Sequence, residues 1–505
     1  MKSIITRYAG IGVAALAMML TACSGVSIPE SYQQAKEMPQ IYPDYVGVTI
    51  PVNIAPLTFK MDMPAEEMVA RLSYGNTEFV CGGEDVRPDK KDWKSLIEVA
   101  KGHDIKVEVY ARHDDQWTRY EPFSITVSPD SIDPYISYRL ISPSYVTYEE
   151  LTINQRCLEN YDENVIYDNM LCSTSAEGQC INCHNYQQYN PDRMQFHARQ
   201  NMGGTVINYD GKLTKINMRH DSILSAGVYP TWHPWLKMIV YSTNKTSQTF
   251  HTRDLNKIEV FDAGSDLIAF DVDKGEVTNI ENDPDEMEVF PFWAPDGKTL
   301  YYCSAHFEYK DTVAKEIETI QRATEIKYNI YKKSFDPETM EFGPRQLVFN
   351  ADSLDKSATF PRISPDGRWL LFTLGRYGCF HIWHRDADLW MMDLKTSEAR
   401  RADELNSPQT ESYHSGSSTG KWVVCSSRRD DGGFTRPFFA HIGADGKGSK
   451  PFELPQAYPD CNRHSLKCFN IPEFMKGPVT VSPQTFADML KTEGIPVKYV
   501  TKLTK

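Results

Sequence analysis

The feature of the sequence that most directly indicates chemistry is the pentapeptide Cys180-Ile-Asn-Cys183-His184. Two thiols three positions apart can form thioether bonds to both vinyl groups of one haem, and the histidine that follows can then ligate the iron. The spacing therefore predicts a covalently attached c-type haem (haem c), with Cys180 and Cys183 as the attachment points and His184 as the axial ligand.

A second iron ligand is predicted a few residues downstream. Asn190 suits a helix cap and Pro191 suits the first helical position, so the sequence predicts a helix from this point. Met194 and His197 would then share one helical face, and either is a candidate distal ligand. The alternative is that Met194 is a core residue and His197 a solvated one, which leaves the sixth position open.

Three other interpretations of the cysteine motif remain open. A redox-active Cys-x-x-Cys normally follows a strand and begins a helix, and neither flank has that pattern. A zinc ion could be held by the motif together with Cys157 or Cys172, although the paired spacing of a zinc knuckle is missing. A disulfide between Cys157 and Cys172 would leave the motif itself unexplained.

The remaining cysteines carry weaker signals. Cys303 and Cys425 lie in apolar, strand-like runs, so we expect buried thiols that act as small hydrophobic groups. Cys461 and Cys468 flank a short loop and could form a disulfide.

The N-terminus predicts where the protein works. Lys2 and Arg7 precede an apolar run at 11–20, which is followed by Leu-Thr-Ala and then Cys23. This is the pattern of a secretory signal that ends in a lipoprotein box, so Cys23 is predicted to be lipidated and to become the first residue. We therefore expect a lipid-anchored protein of the cell envelope, with the membrane as one partner.

Composition limits the class of protein. The chain has 505 residues, of which 41% are hydrophobic and 24% charged, as expected for two or three globular domains. Lys and Arg number 54 against 68 for Asp and Glu, a formal net charge of −14. Because this balance repels phosphate backbones and no basic run relieves it, nucleic acid is not an expected partner.

Four related segments predict the main fold. Phe290-Pro-Phe-Trp-Ala-Pro-Asp-Gly matches Phe360-Pro-Arg-Ile-Ser-Pro-Asp-Gly, and weaker copies begin at Tyr229 and Tyr413. Each copy consists of a strand, a turn of the Pro-Asp-Gly kind and a second strand. Self-similarity of this kind in an all-β chain predicts a β-propeller, with six blades favoured and seven possible.

These patterns divide the chain into six parts. Alternating apolar residues before the propeller predict an immunoglobulin-like β-sandwich with one helix at 92–101. The expected parts are a signal peptide (1–23), a tether (24–41), the β-sandwich (42–145), a haem-binding segment (146–202), the propeller (203–475) and a C-terminal tail (476–505).

Other polar groups have simpler interpretations. His233, His381 and His384 are expected to be structural residues. The acidic run 283–288 is expected to be a solvated loop, with a divalent-cation site as the alternative. No hydrolase motif is present, so an electron carrier or a binding protein is favoured over a hydrolase.

Several segments resemble bacterial TolB-like β-propeller lipoproteins, a group often labelled cytochrome c or cytochrome c biogenesis proteins. The resemblance covers most of the chain after about residue 45. It implies one c-type haem signature, which falls on Cys180, Cys183 and His184, and a propeller of Pro-Asp-Gly repeats. The fourth repeat differs, with Ser-Thr-Gly in the turn. The segments are Ile132-Asp-Pro-Tyr-Ile-Ser-Tyr-Arg, the cysteine motif, Tyr189-Asn-Pro-Asp-Arg-Met-Gln-Phe-His, Thr435-Arg-Pro-Phe-Phe-Ala-His-Ile and Phe469-Asn-Ile-Pro-Glu-Phe-Met-Lys-Gly-Pro-Val.

Two functions follow as expectations. The first is a monohaem cytochrome-like lipoprotein that transfers electrons or senses redox state, with a redox or envelope protein as its partner. The alternative is a haem-free propeller lipoprotein that recognises an envelope protein, a peptide or a glycan.

Overall fold

The computed structural model describes residues 25–143, 150–173, 178–254, 256–310 and 312–505. The signal peptide and the predicted lipidation site Cys23 lie outside the described residues. In the parts of the chain that the structure describes, no helix is long and apolar enough to cross a bilayer.

The N-terminal domain is β-rich and contains the single helix that the sequence predicts. Helix α1 begins two residues before the predicted start, because the Asp89 side chain accepts a hydrogen bond from the Lys91 amide and caps it. The elements are β1 (Gln33–Gln34), β2 (Ile41–Tyr42), β3 (Thr49–Pro51), β4 (Lys60–Met61), β5 (Glu67–Tyr74), β6 (Thr77–Gly83), α1 (Lys90–Val99), β7 (Asp104–His113), β8 (Gln116–Arg119) and β9 (Phe123–Ser128).

Pairing in this domain is continuous around β7. One half of β7 pairs with β9 and the other half with β8, while β5 and β6 extend the sheet on the opposite edge. Strand β3 joins β9 in parallel, and β2 pairs separately with β4. Pairing therefore begins inside the segment 24–41 that the sequence left as a tether, since β1 at Gln33–Gln34 pairs with β8.

The described residues from 135 onward form a β-propeller of six blades, the number that the sequence favoured. Helix α2 (Lys315–Gln321) interrupts blade 4 and α3 (Cys461–His464) follows blade 6. The strands in chain order are β10 (Tyr135–Ile141), β11 (Thr152–Cys157) and β12 (Glu163–Asp168) in blade 1; β13 (Gln179–Tyr186), β14 (Arg193–Gln200), β15 (Gly204–Tyr209) and β16 (Lys212–Asn217) in blade 2; β17 (Gly227–Trp232), β18 (Met238–Phe250), β19 (Ile258–Asp271) and β20 (Glu276–Glu281) in blade 3; β21 (Glu286–Trp293), β22 (Thr299–His306), β23 (Asn329–Asp336) and β24 (Glu341–Phe349) in blade 4; β25 (Ser357–Ile363), β26 (Trp369–Gly375), β27 (Asp388–Asp393) and β28 (Glu398–Arg401) in blade 5; and β29 (Glu411–Gly416), β30 (Trp422–Ser427), β31 (Arg436–His441) and β32 (Phe452–Glu453) in blade 6.

A strand from the end of the chain closes the propeller. Strand β33 (Cys468–Met475) pairs antiparallel with β10 and supplies the inner strand of blade 1. The first blade is therefore built from both ends of the domain, which joins the last blade to the first.

The propeller is larger than the sequence predicted. Its blades span 135–475, so the expected separate haem segment at 146–202 instead supplies strands of blades 1 and 2. The predicted boundary at 203 is too late because blades 1 and 2 have no Pro-Asp-Gly turn. The expected tail also carries structure: α4 (Pro483–Lys491), β34 (Ile495–Pro496), which pairs with β16, and β35 (Lys498–Tyr499), which pairs with β20.

The predicted helix after Asn190 is wrong. The segment Arg193–Gln200 is strand β14, and the Asn190 side chain caps a turn by accepting a hydrogen bond from the Asp192 amide at 3.0 Å. Asn-Pro-Asp thus begins a tight turn between two strands, an alternative that both residue types also favour. Because side chains alternate along a strand, Met194 and His197 lie on opposite faces rather than on one.

The N-terminal domain packs on blades 6 and 1. Its core is continuous with apolar side chains of those blades, among them Trp422 and Phe474. Polar contacts fix the orientation: the Ser418 amide donates to Asp133 at 2.6 Å and the Trp422 indole donates to the Asp130 carbonyl at 3.2 Å.

Candidate functional site

The inner strand of every blade bulges at one equivalent residue. At each of these positions φ is positive, between 47° and 59°, and the pairing with the next strand is interrupted. Such a bulge re-aims the side chain of an inner strand. The six residues, which we call the plug, are Ile471, Cys183, Tyr229, Phe290, Phe360 and Tyr413 in blades 1 to 6.

Aromatic contacts hold the plug together across the channel. Phe290 stacks on Phe360 with ring centroids 3.9 Å apart, and Tyr229 meets the edge of Phe290 at 4.6 Å. Tyr413 contacts Phe360 at 4.8 Å. Cys183 joins this group through its sulfur, which accepts a hydrogen bond from the Tyr229 amide at 3.4 Å.

On one side of the plug lies a cavity of about 1050 Å³, the upper cavity. Most of its lining residues come from blades 2 and 3 and the connection between them, and the plug residues Tyr229 and Tyr413 form part of its wall together with Phe380 and Trp383. Its volume is at the upper end of the range for ligand pockets in proteins. Amide side chains of Asn182, Asn217, Asn244, Gln200 and Gln248 also line it.

The charge of the upper cavity is opposite to that of the chain. Among the described residues that line it, Arg139, Arg199 and Arg219 are accompanied by one carboxylate, Asp221, while the whole chain has a net charge of −14. Burial, with smaller contributions from the positive charges of Arg199 and Arg219, lowers the pKa of His197 to about 3. His197 is therefore a neutral hydrogen-bonding group at pH 7, and its Nδ1 lies 3.0 Å from the Thr205 hydroxyl.

On the other side of the plug lies a smaller cavity of about 210 Å³, the lower cavity. Residues of the turns that follow the inner strands contribute to its lining, among them Pro234, Pro295 and Pro365. Trp232, Trp293, Trp369 and Phe292 give it an aromatic wall, and Arg362 and Glu473 lie at its inner end.

The cysteine motif lies across the plug rather than on one side of it. Cys180 lines the upper cavity, Cys183 is a plug residue and His184 faces a small cavity of about 20 Å³ beneath the plug. All three residues are buried, with exposures of 6%, 2% and 1%. They belong to strand β13, whose extended backbone separates the side chains along the channel.

His184 is a buried neutral imidazole. Burial, with a smaller contribution from Arg139, lowers its pKa to about 3. The backbone carbonyls of Ser137 and Ile471 lie near the ring and oppose this shift, but neither ring nitrogen has a well-aligned hydrogen-bond partner among the described residues.

The described packing does not fit a haem. A c-type porphyrin needs both thiols and the imidazole around one space of its own size. The cavity beside His184 holds about one water molecule, and Cys180 opens to the other side of the plug. Covalent haem at Cys180, Cys183 and His184 stays a prediction.

The two candidate distal ligands also differ in environment. Met194 is fully buried in an apolar cluster with Phe196 and Ile181. His197 lines the upper cavity, so only this candidate borders a space that could admit a ligand. A role for either side chain at an iron stays a prediction.

Other predicted groups are distributed through the fold. In the described residues no group of three or more His, Cys, Asp or Glu side chains could hold a metal ion, and the ten described cysteines are free thiols. Part of the acidic run is not a solvated loop, because Glu286 and Glu288 lie buried in β21. The pKa of Glu288 rises to about 9 through burial and, to a smaller degree, nearby carboxylates such as Glu281 and Asp266.

Sequence reasoning missed the charged residues that line the two cavities. Arg139 and Glu473 lie in segments that carry the family resemblance, and Arg362 lies in a repeat, but those patterns do not indicate a cavity. Arg199 and Arg219 lie outside these segments. One signal was available: Cys183 precedes Tyr229 by 46 residues, close to the length of one blade. That distance aligns Cys183-His184 with Tyr229-Pro230.

Comparisons with known proteins add little beyond the fold class. No family model and no curated protein matches the chain. Among solved structures, the tricorn protease is similar over 70% of this chain and 33% of its own, at 12% identity and a TM-score of 0.33. Prolyl oligopeptidase B from Galerina marginata is similar over 69% of this chain and 42% of its own, at 10% identity and a TM-score of 0.34. The chain therefore spans less than half of either protein, and likeness at this level carries no functional argument.

Proposed function

We propose that the protein is a lipid-anchored, haem-free binding protein of the cell envelope, whose propeller holds an organic anion in the upper cavity. The observation that carries this proposal is the set of three arginines around a space of about 1050 Å³ in an otherwise acidic chain. Lipid anchoring rests on the sequence pattern before Cys23.

The upper cavity offers two kinds of contact. The guanidinium groups of Arg199 and Arg219, together with the buried Arg139, favour carboxylate or phosphate groups, to which arginine can bind in a bidentate manner. Amide side chains and the aromatic rings of Phe380 and Trp383 can contact the rest of the molecule. This combination favours a polar organic anion over an apolar ligand.

A titration with matched compounds tests the proposal. Calorimetry compares an acidic trisaccharide with its neutral counterpart, and triglutamate with triglutamine. We expect an anionic compound to bind more tightly than its neutral partner, and the affinity to fall as salt is raised. If no anionic compound binds better than its neutral partner, the proposal is wrong.

Two matched variants locate the binding. Arg219→Gln removes an exposed guanidinium from the cavity wall and should weaken binding about tenfold or more. Arg193→Gln is the control, because Arg193 lies at the far end of β14, pairs with Asp210 at 2.8 Å and does not line the cavity. Equal losses in the two variants would contradict a site in the upper cavity.

A further inference from the structure

Directly below the plug, the inner strands form a second ring of equivalent side chains. These residues lie two positions after each bulge, and all six line the lower cavity. In blades 1 to 6 they are Glu473, Asn185, Thr231, Phe292, Arg362 and Ser415. The ring therefore contains one acid, one base and four uncharged residues.

The acid and the base of this ring are not paired with each other. Among the described residues no ion pair within 4.0 Å joins Arg362 and Glu473, although both face the same cavity. Arg362 lies over the Phe292 ring at 4.8 Å and donates to the carbonyl of its neighbour Pro361 at 3.2 Å. Glu473 accepts a long hydrogen bond of 3.5 Å from Asn185, and the Ser415 hydroxyl also hydrogen-bonds to it.

Partly buried charges that lack an ion-pair partner are unfavourable, and a ligand that carries both opposite charges would supply one to each group. Burial raises the pKa of Glu473 and lowers the pKa of Arg362, and each group opposes the shift of the other. Arg362 and Glu473 are therefore each most stable in the charged form when an opposite charge lies nearby.

The size and the lining of the lower cavity further restrict the class of ligand that it can hold. About 210 Å³ is room for about seven water molecules at ~30 Å³ each, which is below the range for drug-sized ligands. Trp232, Trp293 and Phe292 supply an apolar surface next to the charged ring. A polymer segment is less suitable than a single small molecule with an apolar group.

We propose that the lower cavity binds a free α-amino acid with an apolar side chain, whose carboxylate contacts Arg362 and whose ammonium contacts Glu473. Asn185 and Ser415 lie on either side of Glu473 in the ring and can accept further ammonium hydrogen bonds. The aromatic wall receives the side chain. This site is separate from the upper cavity, because the plug lies between them.

The unchanged protein provides the first test. Calorimetry and thermal unfolding are measured with L-phenylalanine, N-acetyl-L-phenylalanine and L-phenylalaninamide, the last two of which each lack one charge. We expect L-phenylalanine to bind and to raise the unfolding temperature, and each derivative to bind at least tenfold more weakly. Absence of binding by both L-phenylalanine and L-leucine at millimolar concentration would overturn the proposal, as would equal binding of the derivatives.

Variants of the two charged ring residues test which groups contact the amino acid. Arg362→Gln and Glu473→Gln should each weaken L-phenylalanine binding at least tenfold. Arg368→Gln is the control, since Arg368 follows the same turn of blade 5, pairs with Asp393 at 2.9 Å and does not line the cavity. Binding that survives both ring variants would overturn the proposal; if either variant fails to fold, the comparison of derivatives on the unchanged protein decides.

The upper cavity gives an independent reference. Arg219→Gln should leave L-phenylalanine binding unchanged, because Arg219 lies on the other side of the plug. Loss of L-phenylalanine binding in Arg219→Gln would assign the amino acid to the upper cavity and overturn this inference. Failure of the anion titration alone would leave the lower site standing.

Discussion

Blade 2 and blade 4 build the same inner-strand bulge from different residues. Blade 4 uses Phe290-Pro291, whereas blade 2 uses Cys183-His184, and in both the first residue has a positive φ and the ladder is interrupted. In blade 4 the aromatic ring fills the channel, while in blade 2 the sulfur occupies this position and accepts the Tyr229 amide. The comparison shows that Cys183 and His184, two residues of a pattern typical of haem attachment, occupy the bulge position that every blade of the propeller repeats.

Blade 6 extends the comparison. Tyr413-His414 has a histidine where blades 1, 3, 4 and 5 have proline, so a histidine after the bulge is not confined to the cysteine motif. His414 is buried, and its Nε2 hydrogen-bonds to the Leu371 carbonyl at 3.0 Å. A structural histidine at this position is therefore already present elsewhere in the ring.

The largest effect should come from the aromatic part of the plug. Phe290→Ala removes the ring that contacts Phe360 and Tyr229, and should lower the free energy of unfolding by about 3–5 kcal/mol in urea denaturation. Leu347→Ala is the control on the same blade, because Leu347 is exposed and should lose less than about 1 kcal/mol. Equal effects would show that the plug does not anchor blade 4.

The histidine of blade 6 should make stability depend on pH. Its pKa is lowered to about 3 by burial and by Arg362, so the native ring stays neutral while the unfolded ring takes up a proton below about pH 6.5. The contribution of His414 to the free energy of unfolding is therefore complete above about pH 6.5. It is lost as the pH falls toward 3, by up to about 1.4 kcal/mol per pH unit.

Unfolding free energies measured at several values between pH 7 and pH 4 check this dependence. In His414→Gln, the number of protons taken up on unfolding, which is given by the slope of the unfolding free energy against pH, should be lower by close to one than in the unchanged protein. An unchanged slope in the variant would contradict a buried neutral His414.

Replacing the histidine that follows the bulge in blade 2 by the proline found in four other blades tests directly whether these bulges are equivalent. His184→Pro gives blade 2 the residue that follows the bulge in four other blades, and no ladder pair joins His184 to β14. We expect a folded protein that loses no more than about 2 kcal/mol, the cost of a small cavity. Failure of this variant to fold, with Pro291→His tolerated in blade 4, would show that the two bulges are not equivalent.

The smallest effect should come from the thiols. Cys180→Ala and Cys303→Ala each remove one buried sulfur from a strand, and each should cost about 1 kcal/mol in the free energy of unfolding. Cys303 lies outside the motif and so is the matched control. A much larger loss for Cys180→Ala would indicate that this thiol has a role beyond packing.

The sequence predicted the propeller because Pro-Asp-Gly turns after Phe290 and Phe360 have local chemistry that is readable without a structure. It did not predict the closure through β33, since strand pairing between residues more than 300 positions apart leaves no local signal. The helix predicted from Asn190-Pro191-Asp192 was wrong for a related reason. The same residue types begin both helices and turns, and only the tertiary context determines which of the two forms.

The candidate site was less predictable than the fold. Cys180, Cys183 and His184 stood out by residue type, but their directions depend on the bulge at Cys183, which only the backbone reveals. The charges that line the cavities come from different blades, so Arg139, Arg219 and Arg362 meet a common channel only after the ring has closed.

The most direct test of this account is the intact mass and absorption spectrum of the mature protein made in cells that contain haem-attachment machinery. The proposed haem-free binding protein predicts the mass of the lipidated polypeptide alone and no Soret band. A mass increased by one haem, with a Soret band that survives acid-acetone extraction and disappears in Cys180→Ala/Cys183→Ala, would contradict it.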